Sequence, residues 1–113
     1  MLKLIPVILL AFLCVSCSNV DCKGIAESRR SKYCNIVVRE APVSGRWFEI
    51  KGINPETKEE STYSDMETWY VQFYKNIQVG DTVVKKQGEL EFFIHKKDTV
   101  LVYPYECEGK IYN

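Results

Sequence analysis

The sequence is short of the residues from which most catalytic centres are made. It holds one histidine, His95, and its 15 Lys and Arg are matched by 15 Asp and Glu, a formal net charge of zero. That balance argues against a strongly basic nucleic-acid binder and against an acidic disordered tail. A metal centre needs three or four convergent ligands. One histidine and carboxylates scattered among lysines supply no such group, so neither a metal nor another cofactor is expected. No apolar run reaches the roughly 18–20 residues of a membrane-spanning helix. Internal repeats and low-complexity tracts are absent as well, and 113 residues suit a single domain.

Aromatics are plentiful by contrast: seven Tyr, five Phe and two Trp. In a small β-rich domain such residues serve first as core and cross-strand material. Trp47, Trp69 and Tyr70 are the candidates for a binding surface, since exposed aromatics concentrate at interaction hot spots. Core packing is the competing use of both tryptophans.

Met1–Lys3 is a short basic start, and Leu4–Val15 is an uncharged apolar run with the length of a signal-peptide core. It closes on Cys14-Val15-Ser16-Cys17. These four positions resemble the lipobox of bacterial lipoproteins, with small Ser16 directly before Cys17 and with Cys14 where Leu is usual. The resemblance implies cleavage before Cys17 and acylation of Cys17, and two or more acyl chains give stable membrane anchoring. Because Ser18, and not Asp, follows Cys17, the resemblance further implies the outer membrane of a Gram-negative envelope. Residues 1–16 are then a lipoprotein signal peptide, 17–20 a lipidated tether and 21–113 a single β-rich domain. An ordinary secretory signal is the alternative, because Cys14 and Ser16 also satisfy a small-x-small cleavage rule. The segments I-N-P-E-T at 53–57, G-D-T-V-V-K-K at 80–86 and C-E-G-K-I-Y at 107–112 extend the resemblance to small Gram-negative envelope lipoproteins over most of the mature chain. It implies a location and no catalytic activity.

Along the mature chain, Asp21–Tyr33 suits a short helix capped by Asp21. Strands are expected over Asn35–Glu40, Trp47–Ile53 and Glu59–Tyr63, the last a polar edge guarded by its charges. Asn54-Pro55 turns the chain between the second and third. Ser64 and Glu67 then fit a capping box. Behind it, Met66, Trp69, Tyr70, Phe73, Tyr74 and Ile77 fall at helical spacing, which predicts a helix over Asp65–Asn76 packed on the sheet. Val83-Val84 and Leu90–Ile94 read as two strands between Gly-Asp and Gln-Gly turns. Thr99–Tyr103 reads as the final strand, with Pro104 ending it and Tyr105–Asn113 as a tail. The expected fold is therefore α+β and β-rich. It is a small OB-like barrel or curled antiparallel sheet of five to six strands, with one packed helix between strands 3 and 4 and a short N-terminal helix.

Once Cys14 leaves with the signal and Cys17 takes lipid, Cys22, Cys34 and Cys107 remain. An oxidising envelope favours one disulfide. Cys22–Cys107 would staple the first helix to the tail, and Cys34–Cys107 would join the first strand to it; the former is preferred. The enzymatic alternative is a thiol–imidazole pair of His95 with Cys34 or Cys107. Glu59-Glu60 and Glu89/Glu91, alternating with lysines, read as solvated faces and not as acid–base pairs. Arg29-Arg30 and Lys96-Lys97 read as surface charge. The expected function is that of a non-enzymatic, lipid-anchored module. Its partners would be the membrane, through the anchor, and an envelope protein or small ligand, with no nucleic acid. An inhibitor of an envelope enzyme such as lysozyme or a protease is the alternative. It is suggested by Tyr105-Glu106-Cys107-Glu108-Gly109, which resembles a Y-x-C-x-G run of small inhibitory lipoproteins.

Overall fold

The computed structural model describes residues 21–42, 48–65 and 68–113. Cys17 and Trp47 lie outside them. Among the described residues one α-helix, α1 (Cys22–Arg30), precedes seven strands: β1 (Cys34–Glu40), β2 (Phe48–Ile53), β3 (Glu60–Asp65), β4 (Thr82–Lys85), β5 (Glu91–His95), β6 (Val100–Cys107) and β7 (Lys110–Tyr112). All pairings are antiparallel, and the strands lie in the order β3-β2-β1-β4-β5-β6-β7.

Local chemistry accounts for most of these elements. The Asp21 side chain accepts from Gly24 N–H at 2.9 Å and caps α1. Asn54 Oδ1 accepts from Glu56 N–H at 2.8 Å and Thr57 N–H at 3.2 Å, an Asx-type turn between β2 and β3. In β4 and β5 alternate residues are buried, so Val83, Lys85, Phe92 and Ile94 share the inner face. That face and the segment between β3 and β4 enclose an aromatic cluster. The Trp69 ring lies 4.9 Å from that of Phe92 and 5.2 Å from that of Tyr105. Phe48 and Phe73 meet edge to face at 5.7 Å.

The architecture departs from the expected one in three respects. First, among the described residues no α-helix stands between the third and fourth strands. Ser64, the expected cap, instead pairs with Glu49 inside the β2–β3 ladder. Two short 3-10 turns follow, Thr68–Gln72 and Tyr74–Asn76. Thr, Val and aromatic residues dominate this stretch and are weak helix formers. The inward pull on its aromatics sets the path: Trp69 Nε1–H donates to Pro104 O at 3.1 Å, and Trp69, Phe73 and Ile77 are buried.

Second, there are seven strands, because the chain neither stops pairing at Pro104 nor ends in a tail. Tyr105 N–H donates to Leu90 O at 2.9 Å, so the nitrogen of Pro104, one residue earlier, points away from β5. It lies beyond the β6–β7 pairs, which begin at Tyr105–Tyr112, and interrupts no ladder. Glu108 (φ 51°) and Gly109 (φ 79°) then make a two-residue turn of the kind that joins tight hairpins and returns the chain as β7.

Third, the sheet curls without closing into a barrel: among the described residues β3 and β7 are its two ends and do not pair. Helix α1 spans that opening. At one side, Arg29 Nη1 lies 2.9 Å from Asp65 Oδ1 of β3 in a buried ion pair. At the other, Cys22 is disulfide-bonded to Cys107 of β6. Two helical turns separate Cys22 from Arg29, about 10 Å of axial rise.

Candidate functional site

Cys34, the free cysteine among the described residues, is 2% exposed on the inner face of β1, and its Sγ donates to Val83 O at 3.6 Å. Burial pushes its thiol up to about 12, far from the range of a reactive thiolate. His95 is exposed at the end of β5. It pairs with Thr82, whereas Cys34 pairs with Lys85 three residues along β4. Thr82 and Lys85 lie on opposite faces of that strand, so the imidazole and the Cys34 thiol are on opposite sides of the sheet. Cys107 is held in the disulfide. No thiol–imidazole pair is assembled from these residues. Among the described residues no group of three or more His, Cys, Asp and Glu side chains could hold a metal ion, and no helix is long and apolar enough to cross a membrane.

The remaining candidates divide between core and surface. Trp69 is 3% exposed and belongs to the aromatic cluster, so it presents no ring to a partner. Tyr70 follows it in the same 3-10 turn. Glu59 and Glu60 are exposed at the edge of the sheet, and Glu91 is half-buried on the outer face. Of the basic pairs, Arg29 and Lys96 are structural. Lys96 Nζ lies 2.5 Å from Asp81 Oδ2, and that carboxylate also accepts from Gln78 N–H at 2.9 Å.

Lys85 is buried more completely than Arg29. It is 0% exposed, and its Nζ donates to Lys32 O at 2.8 Å, Lys86 O at 3.0 Å and Arg30 O at 3.2 Å. It thereby satisfies carbonyls at and just beyond the C-terminus of α1, where the helix dipole favours positive charge. Burial still draws its pKa down to about 8, with Glu89 opposing that fall and Arg30 adding to it.

What the molecule offers to the outside is an unusually apolar outer sheet face. Thr82, His95 and Val100 form one cross-strand row over β4, β5 and β6, and Val84, Phe93 and Val102 form the next. Val37 of β1 pairs with Thr82, and Ile53 of β2 pairs with Val37, which extends the first row. Val100 is 46% and Val102 45% exposed. The Phe93 ring stacks against the His95 imidazole at 6.4 Å. One-sided antiparallel sheets alternate apolar-in with polar-out; here the rule fails across neighbouring strands. Residue-by-residue reading passed over this face, although Phe92-Phe93-Ile94 and Val100-Leu101-Val102 are unbroken apolar runs and signal strands apolar on both sides.

Comparison with family models, with curated proteins and with solved structures yields no match.

Proposed function

We propose that the protein is a lipid-anchored envelope module that acts by binding and not by catalysis, with the outer face around Phe93, Val100 and Val102 as its contact surface. The observation that carries this reading is that apolar outer face, since the largest apolar patch on a domain surface is often its functional one. Two further features support it. Cys17 ends a lipobox-like segment four residues before Asp21, and a Cys22–Cys107 disulfide suits an oxidising compartment such as the envelope. Acylation of Cys17 would hold the domain within about 14 Å of a bilayer, the extended length of four residues. Ser18 after Cys17 favours the outer membrane.

Detergent-phase partitioning of wild type and Cys17→Ser tests the anchor. Wild type is expected in the detergent phase and the variant in the aqueous phase, and a variant that stays with membranes would refute it. The second reading, inhibition of an envelope enzyme such as lysozyme or a protease, is favoured by the exposed Glu108-Gly109 tip, whose base the disulfide braces. Glu108→Ala and Lys110→Ala should then abolish inhibition and leave membrane partitioning intact.

A further inference from the structure

We infer that the short anchor tether sets the β6–β7 hairpin against the bilayer, with Ile111 as its contact with lipid. The inference rests on the anchor at Cys17 and adds which surface of the domain that anchor turns toward the membrane. Tether length and the place where the tether enters the fold carry it.

Cys17 stands only four residues before Asp21, which limits the span between them to about 14 Å. Asp21 is fixed in place. Its side chain accepts from Gly24 N–H at 2.9 Å, and its carbonyl accepts from Ile25 N–H at 3.1 Å. The next residue, Cys22, is bonded to Cys107 with a Cα separation of 5.8 Å, and Cys107 directly precedes the Glu108-Gly109 turn. A second tie holds α1 along the hairpin, since Arg30 Nη2 donates to Asn113 O. Asp21, Cys22, Cys107, Glu108, Lys110 and Tyr112 accordingly border one concavity. The tether thus enters the fold beside the turn of the β6–β7 hairpin.

On this hairpin Ile111 is 53% exposed. It pairs with exposed Glu106, on the face away from the Tyr105 and Tyr112 rings. Asp21, Glu106 and Glu108 outnumber Lys23 and Lys110 around the turn, so charge does not draw the hairpin to an anionic surface. Proximity comes from the anchor: a tether this short keeps the hairpin at high effective concentration beside the lipid, and one apolar side chain then suffices for contact at headgroup depth. Val102 and Val100 lie five and seven residues back along β6, about 17 and 24 Å from Cys107. A domain standing on this hairpin therefore holds its apolar outer rows clear of the lipid and open to an envelope partner. It also turns the Glu108-Gly109 tip toward the membrane and away from any enzyme to be inhibited.

Depth-dependent quenching of the acylated full chain tests this, in phosphatidylethanolamine–phosphatidylglycerol vesicles that carry lipid with a nitroxide headgroup. Ile111→Cys and Asp98→Cys are each labelled with a fluorescent maleimide without reductant, which spares the disulfide and the buried Cys34. Asp98 is exposed in the turn before β6, at the far end of that strand from the hairpin. The probe at position 111 should be quenched several-fold more than the probe at position 98. A Gly-Ser insert of about 20 residues between Val20 and Asp21 should erase most of that difference and leave membrane fractionation unchanged. Equal or stronger quenching at position 98, in protein that fractionates with membranes, would overturn the inference and leave the anchor standing. A difference that survives the long tether would also overturn it, because the hairpin would then owe its place to its own affinity for lipid. Wild type that does not fractionate with membranes would remove the anchor and the inference together. Cys17→Ser should release the protein and abolish quenching at both positions.

Discussion

The rings of Tyr63 and Phe92 lie 5.6 Å apart, although β2, β1 and β4 stand between their strands. Four strand spacings would separate them by about 19 Å in a flat sheet. The sheet must therefore bend back on itself, and the side chains within the bend are aromatic. Gly52 permits part of the close approach: a Cβ there would come within 1.9 Å of Val37 O on β1. Helix α1 then bridges the two sides of a sheet that curls and does not close.

The disulfide holds one end of that bridge. Cys22 and Cys107 are 85 residues apart in sequence, so their bond should contribute about 4 kcal/mol by restricting the unfolded chain. Cys107→Ser, or wild type in reductant, should melt markedly lower. Proteolysis and mass spectrometry of the unreduced protein should return a cross-linked peptide joining the two. A Cys107 that alkylates freely without reductant would contradict the pairing.

Arg29 and Asp65 hold the other end. Both are 8% exposed, and Tyr63 OH donates to Asp65 Oδ2 at 3.2 Å. Breaking a buried pair leaves a charge stranded, which typically costs about 3–5 kcal/mol. Arg29→Met and Asp65→Asn should each destabilise by roughly that amount. The double variant should cost less than the sum of the two, as coupled sites do. Additive losses in denaturant melts would argue against the coupling.

Phe73 tests whether the 3-10 segment is core. Its ring is 1% exposed and stacks on Tyr103 at 5.2 Å. Phe73→Ala should cost about 3–5 kcal/mol, a large part of the roughly 5–15 kcal/mol that holds a domain folded. Trp69→Ala should be comparable and also leaves Pro104 O without its indole donor. Unchanged melting in both variants would contradict the buried positions.

Lys85 predicts an alkaline signature. Its pKa falls from 10.5 unfolded to about 8 folded, chiefly through burial. Between those values the unfolded chain binds more protons, so the contribution of Lys85 to stability rises as pH rises through that window. Cys34 acts in the opposite sense. Its thiol moves from 9.0 to about 12 on burial, so its contribution falls above pH 9. Burial and the nearby Asp65 carboxylate likewise raise Tyr63, which costs stability at still higher pH. The difference between wild type and Lys85→Met isolates the lysine and should grow in favour of wild type from about pH 8 to 10. A constant or shrinking difference in urea melts would refute the lowered value.

Much of the local structure was written in the sequence. Asp21 capped its helix, Asn54 made its turn, and the alternation in Leu90–Ile94 gave both the strand and its inward residues. These outcomes depend on backbone dihedrals and on a periodicity of a few residues, which neighbouring side chains settle among themselves. The aromatic spacing marked Trp69, Phe73 and Ile77 as core residues, which they are, and misled about the helix, because a 3-10 path brings these side chains to the same core.

Tertiary structure alone decided the rest. Three cysteines allowed three pairings, and only the approach of α1 to β6 selected Cys22–Cys107. Nothing local sets Lys85 apart from Lys86 beside it; only the fold brings the carbonyls of Arg30, Lys32 and Lys86 together on its Nζ. The number of strands, the curl and the open edge depend on Pro104 lying where no ladder needs its nitrogen, and on rings meeting across three intervening strands. No short stretch of sequence carries such contacts, because each joins residues far apart in the chain and forms only when the whole sheet has bent.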